Sequence, residues 1–371
     1  MTIDVVIIGS GPAGTMCGIE LQRSGLTTCI IEREKLPRQK LCGGFLTQKT
    51  VDLIHLKCPE IEMSEYVTNQ THSFGFYHGS TRLMTVDPAC TYYSTDRLLL
   101  DNLLVQYYKK VGGTVMESTL IRRDDIDFRR NTVTTDDEEI SYRMLVGADG
   151  CNSIVTRAAG IVRHDMFCLE GKCHADDFDS NDLRLYLGCP RDGYAWFFPK
   201  KDYYTVGLGG SNEGKRMKTV AKEFFDHVIG RDVENVKGAF IPTGKKLSLG
   251  ALPANVLLAG DAAGFIDPIT GEGIYYALRT GTWAAEAIAE CAGNVSDLHH
   301  TYNRKTAVAW KNIKHALRWH LLLYSRPVFP RFVSSLGHHE RFARFYLERL
   351  VSTYEFNYKN FVWYYLLHRK R

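Results

Sequence analysis

Ile3-Asp4-Val5-Val6-Ile7-Ile8-Gly9-Ser10-Gly11-Pro12-Ala13-Gly14 is the stretch whose reading decides the fold. Residues 3–8 form the short apolar run of a buried parallel strand. The run enters a G-x-G-x-x-G turn, and a helical pattern follows over residues 15–24. Gly25 is placed to stop that helix, and residues 27–31 read as a second strand ending at Glu32 and Arg33. Each glycine has a job: Gly9 permits the tight turn, Gly11 lets a pyrophosphate approach the backbone, and Gly14 lets helix and strand pack closely. The helix N-terminus offers free N–H groups and a positive dipole end to phosphates, and Pro12 and Ala13 of the turn before it count among the cofactor-binding candidates. Glu32 is spaced to accept hydrogen bonds from a ribose diol. Strand, turn, helix, second strand and terminal acid in this order predict a dinucleotide site.

Working outward, 371 residues suit two interleaved domains with ample core. Hydrophobic content of 44% and charged content of 24% are those of a globular protein. No apolar run is long enough for a membrane-spanning helix. A strand beginning at residue 3 leaves no room for a signal peptide, and ten scattered cysteines without a C-x-x-C pair read as reduced thiols, so the expected location is cytoplasmic. The charge is uneven. Residues 301–371 hold 14 Lys and Arg against 3 Asp and Glu, while the remainder holds 32 against 39. The same tail carries sixteen aromatic residues.

Beyond Glu32, Pro37 and the pair Gly43-Gly44 mark residues 35–44 as a loop, with Cys42 at the edge of a close backbone approach. A lone cysteine also reads as a small buried hydrophobe. Ser94 or Thr95 is placed to cap a helix running to about residue 111. Arg97, in its first turn, opposes the helix dipole and calls for an anionic partner, a cofactor phosphate or carboxylate being one candidate. Residues 114–118, 120–128, 131–135 and 140–146 read as an antiparallel meander ending in Gly147-Ala148-Asp149-Gly150. Residues 166–210 carry four more strands, spaced as a broad antiparallel sheet. A buried strand over 255–259 runs into Gly260-Asp261, and a long helix follows Asp267-Pro268-Ile269-Thr270-Gly271-Glu272-Gly273.

These three glycine–acid segments together resemble the flavoprotein group typified by para-hydroxybenzoate hydroxylase. That resemblance implies bound FAD. It implies that Asp149 and Gly150 lie in a loop serving FAD and a pyridine nucleotide, and that Gly260 and Asp261 meet the ribityl chain. It also implies that Pro268, Gly271, Glu272 and Gly273 bring a helix N-terminus to the flavin ring. Arg157 stands one place later than the group's usual arginine. A sharper likeness lies in Tyr194-Ala195-Trp196-Phe197-Phe198-Pro199 with Gly207-Leu208-Gly209, which is similar to the Y-x-W-x-F-P…G-x-G signature of the geranylgeranyl reductase family. Lys40-Leu41-Cys42-Gly43-Gly44 looks like that family's cysteine–glycine loop.

The implied fold is α/β: a Rossmann-like FAD-binding domain (residues 1–70, 95–165 and 250–295) interleaved with an antiparallel-sheet substrate domain (71–94 and 166–249), followed by a helical C-terminal cap (296–371). The implied activity is FAD-dependent saturation of carbon–carbon double bonds in an isoprenoid or other hydrophobic substrate. Cys42, Gly43 and Gly44 would act at the flavin, and Tyr194, Trp196, Phe197 and Phe198 would line the substrate cavity. NADPH or NADH would donate electrons, docking transiently, because only one dinucleotide fingerprint exists. The competing readings are an oxygen-using hydroxylase or halogenase of the same fold, and a non-enzymatic binder of prenylated molecules. No metal site and no nucleic-acid motif is evident. The basic aromatic tail suits either a cap over the cavity or contact with an anionic membrane surface.

Overall fold

The computed structural model describes residues 2–87, 90–163, 165–174, 181–211, 214–291, 294–352, 357–361 and 363. The opening stretch folds as its pattern predicts. Strand β1 (Thr2–Ile8) has its last four side chains buried, helix α1 (Pro12–Arg23) follows, and β2 (Thr28–Ile31) pairs parallel to β1. On the other side of β1 lies Glu139–Gly147, parallel to it, and then Val256–Leu258, parallel in turn. The glycine turn after β1, the Gly147–Gly150 turn and the Gly260–Asp261 turn therefore all leave the same end of one parallel sheet. In such sheets ligands bind outside the carboxyl ends of the strands. Helix Ile274–Glu290 crosses α1 closely enough that a Cβ at Gly281 would sit 2.3 Å from the Ala13 carbonyl.

The expected meander needs correction. Thr114–Met116 is a parallel strand at the edge of the main sheet, paired with β2. Most of residues 120–128 is not strand, because Arg122 to Asp125 folds back on itself, with the Arg122 N–H donating to Asp125 Oδ2 at 2.6 Å. Only Ile126–Asp127, Thr132–Thr134 and Glu139–Gly147 pair antiparallel.

The second sheet runs in the order Glu234–Ile241, Met166–His174, Tyr203–Gly210, Tyr194–Pro199, Leu183–Leu187, Phe74–His78 and Thr81–Val86. It is antiparallel except where Leu183–Leu187 meets Phe74–His78. A small third sheet joins Phe45–Leu46, Tyr92–Thr95 and Val67–Thr71. The C-terminal helices Leu298–Leu323, Phe329–Leu336 and Glu340–Ser352 pack inward. Leu336, Ala343, Leu347 and Val351 share a core with Phe74, Phe76, Trp196 and Phe198. Trp310 is buried against Phe265, with ring centroids 4.0 Å apart. No helix among the described residues is long and apolar enough to cross a membrane. Tyr364 and the terminal Arg369-Lys370-Arg371 lie outside the described residues.

Candidate active site

A single cavity of roughly 570 Å³ runs between the ends of the parallel sheet and the face of the second sheet. Gly9, Gly11, Pro12 and Ala13 line one end of it, beside Glu32, Arg33 and Arg97. Asp149, Gly150, Asp261, Gly271, Glu272 and Gly273 lie along its length, and the Cys42–Gly44 loop, Tyr194, Trp196 and Phe198 close the far end. Gly14 and Gly260 stand behind this wall as spacers, and Pro268 is not part of the lining. A Cβ on Gly14 would fall 2.0 Å from the Gly9 carbonyl, and one on Gly260 would press Ala13 at 3.1 Å. Gly9 itself has φ +101, a conformation that favours glycine.

The end beside Gly9 and Gly11 is built from opposed charges. Gly11 is the N-cap of α1, and no side chain covers the free N–H groups of the first turn. An added Cβ on Gly11 would point into open space whose nearest atoms are the guanidinium nitrogens of Arg38 and Arg97, at 3.8 and 3.9 Å. Arg97 donates to both oxygens of Asp101, at 2.6 and 2.7 Å. Arg38 bridges Asp101 (3.2 Å) and Glu32 (3.1 Å). Arg97 thus has an anionic partner within its own helix, one turn on, and it still faces the cavity. The cap of that helix is Asp96, whose Oδ1 accepts the Leu98 N–H, and neither Ser94 nor Thr95. Glu32 accepts from the Ser10 N–H, the Ser10 hydroxyl and the Glu34 N–H. Burial alone would raise its carboxyl, but the Arg38 charge and these donors hold it below the ordinary glutamate value. Arg33 is exposed at the rim and pairs with Glu34 at 3.4 Å.

Along the middle, Asp149 Oδ2 accepts the Ile154 N–H at 2.5 Å, while Oδ1 is buried without a hydrogen-bond partner among the described residues. Burial raises this carboxyl. Glu272 is turned into the protein: it pairs with the buried Lys49 at 2.6 Å and accepts from Thr47 Oγ1 at 2.8 Å. The turn before it is pinned from two sides. Asp267 Oδ1 accepts the Ile269 and Thr270 N–H groups, and its Oδ2 accepts the Tyr358 hydroxyl at 2.7 Å. The Tyr194 hydroxyl donates to the Thr270 carbonyl at 2.5 Å.

At the far end, strand Tyr194–Pro199 shows why one expected residue does not belong. Side chains alternate across a strand. Tyr194, Trp196 and Phe198 face the cavity. Phe197 faces the opposite side, stacked on Tyr204 with ring centroids 4.4 Å apart and buried under helix Lys215–Phe224. The two glycines of the loop answer to the protein around them: a Cβ on Gly44 would meet the Thr95 carbonyl at 2.1 Å, and one on Gly43 would meet Phe198 at 3.0 Å. The Cys42 thiol accepts weakly from the Gly44 N–H at 3.4 Å. No described residue beyond 277 lines the cavity, so the tail's aromatics pack behind its walls.

Sequence reasoning passed over Arg38, Asp101, Glu170 and Lys200. Glu170 and Lys200 carry a signal in hindsight, being charged residues inside or directly after apolar strands, and both are buried. Burial raises the Glu170 carboxyl against the Lys200 charge; burial lowers the Lys200 ammonium.

These features fit FAD. The open face of Gly11 between two guanidinium groups suits a pyrophosphate, the unpartnered Asp149 oxygen and Asp261 suit polyol hydroxyls, and the aromatic end suits a flat ring with an apolar substrate. Residues 2–222 match the family described as FAD binding domain. An uncharacterized protein of Methanosarcina barkeri is 32% identical over 298 residues, covering 77% of this chain and 74% of its own. The digeranylgeranylglycerophospholipid reductase of Methanocaldococcus jannaschii is 28% identical over 333 residues, covering 83% and 82%. The crystal structure of a geranylgeranyl bacteriochlorophyll reductase-like protein from Thermoplasma acidophilum superposes with a TM-score of 0.76 at 20% identity, over 99% of this chain and 96% of that one.

Proposed function

The chain belongs to the FAD binding domain family and is an FAD-dependent oxidoreductase, and from that premise we propose that it saturates carbon–carbon double bonds of a prenyl chain or a similar hydrophobic substrate. The observation that carries this reading is the joining of two walls in one cavity: the glycine turns with Glu32 and Arg97 at one end, and the Cys42–Gly44 loop with Tyr194, Trp196 and Phe198 at the other. Reductase relatives that act on geranylgeranyl groups support the substrate class.

Gly11, the α1 N-terminus, Arg38 and Arg97 would hold the pyrophosphate, Glu32 the ribose, and Asp149 with Asp261 the remaining polyol. When bound and reduced, FAD supplies a hydride equivalent. The chain's own part is to bind the apolar substrate, to exclude water with aromatic walls, and to let one proton reach the second carbon of the double bond. Cys42 is half-buried in the loop that closes that end and lines the cavity, which makes it the residue most open to test. NADPH or NADH is proposed as the electron donor, docking transiently beside the single dinucleotide site.

Membrane contact belongs to the same reading. Lys311, Lys314, Arg318 and Lys359 form one basic surface around His315, whose imidazolium is disfavoured first by partial burial and then by these neighbouring charges. Leu321, Leu322 and Trp363 stand exposed on the same C-terminal region. An anionic bilayer would meet both, and a lipid substrate could enter from it.

The discriminating experiment uses purified protein with FAD, an electron donor and a geranylgeranyl lipid in an oxygen electrode. A reductase yields product with added hydrogen and no substrate-linked oxygen uptake. Oxygen consumed in proportion to a hydroxylated product would transfer the protein to the oxygen-using class.

A further inference from the structure

Glu170 stands at the junction of the two motifs that define the far end of the cavity. It lies in strand Met166–His174, is 4% exposed, and its side chain contributes to the cavity wall. Its Oε1 accepts the backbone N–H of Cys42 at 3.2 Å, and its Oε2 accepts the indole N–H of Trp196 at 3.0 Å. From beneath, the buried Lys200 ammonium donates to the Gly43 carbonyl at 2.5 Å and the Thr95 carbonyl at 2.9 Å. One carboxylate therefore ties the cysteine loop to the aromatic strand, with Lys200 holding the other side of the loop. We propose that Glu170 is a positioning residue of this site: its carboxylate fixes the Cys42 backbone and the Trp196 ring relative to each other, and loss of its charge breaks that tie. This rests on reading the far end of the cavity as the reaction centre.

The chemistry of the acceptor makes the arrangement sensitive to protonation. A carboxylate offers only acceptors, so it satisfies both N–H groups. Protonation places a donor on one oxygen, where it opposes an N–H donor, and the longer of the two bonds, from the Cys42 N–H, is the one lost. The groups that face Glu170 are Lys200, Cys42 and Trp196 across the site, Lys172 and Cys168 on its own strand, and Tyr203 and Lys237 on the flanking strands. Lys200 and Lys172 favour the carboxylate, and burial opposes it. Because burial wins, the release falls at a higher pH than an exposed glutamate would give.

The test is hydrogen exchange of the Cys42 amide in the FAD-loaded protein without substrate, followed by mass spectrometry over a pH series and divided by the intrinsic rate at each pH. Protection in the wild type should fall as the pH is lowered. In Glu170→Gln, whose single carbonyl oxygen serves only one donor, the amide should exchange roughly tenfold faster, with no such pH dependence. Wild-type protection in Glu170→Gln, or wild-type protection that does not change on acidification, overturns the proposal. If the variant does not fold, the wild-type series alone decides. The readout contains no substrate, so a failed assignment of the reaction leaves it standing.

Discussion

Gly11 and Gly14 belong to the same turn yet should respond differently to an added side chain. The space over Gly11 is empty of protein atoms to 3.8 Å, whereas a Cβ on Gly14 would collide with the Gly9 carbonyl. Gly11→Val should therefore keep the apoprotein's melting temperature and lose FAD retention, read as flavin absorbance after gel filtration. Gly14→Ala should cost about 1–3 kcal/mol of stability by overpacking. Full flavin occupancy in Gly11→Val would remove the pyrophosphate assignment. Glu32 adds a pH signature. A carboxyl held below its unfolded value contributes stability at neutral pH that is lost as the pH falls through the lowered value. Glu32→Gln should accordingly be less stable at neutral pH, and should flatten the loss of stability below about pH 4, as followed by denaturant midpoints. An unchanged acid limb would show that Arg38 and Ser10 do not hold this charge.

The strand Tyr194–Pro199 and the turn before helix Ile274–Glu290 show what was legible in the sequence at the scale of elements, and what was not. The glycine turns were legible because close backbone approach admits few alternatives. Assigning Phe197 to the cavity failed because a period of two places it opposite Trp196, against Tyr204 and Phe224. Phe197→Ala should destabilise by about 3–5 kcal/mol and leave the substrate KM unchanged, whereas Trp196→Phe should raise KM. A KM effect from Phe197→Ala would restore the original assignment. Other contacts were invisible because they join distant residues. Asp267 meets Tyr358 across 91 positions, and Cys42 meets Glu170 across 128. Tyr358→Phe removes one hydroxyl from the buried Asp267 and should loosen the turn that precedes Glu272. The checking measurement is the FAD dissociation constant, expected to rise about fivefold or more.

At the scale of the whole molecule, chain threading was legible in outline: apolar parallel strands near residues 5, 145 and 257 bracket alternating segments that form a second sheet. The basic tail was legible as charge, though not as packing, because Trp310 and Phe342 are buried while Trp363 is exposed. If that surface meets lipid, sedimentation with anionic vesicles should carry the protein down at low salt and release it at high salt, at about 1 kcal/mol per surface cation. Failure to bind any vesicle would leave the tail helices as packing elements alone. The central claim, that an FAD-loaded cavity with apolar walls reduces carbon–carbon double bonds, is tested most directly by a single turnover without oxygen. Reduced holoprotein is mixed with a geranylgeranyl lipid, flavin absorbance is recorded, and the lipid is weighed by mass spectrometry. The account predicts that flavin reoxidises in step with the gain of two hydrogens by the lipid. Flavin that stays reduced until oxygen is admitted, with the lipid mass unchanged, would contradict it.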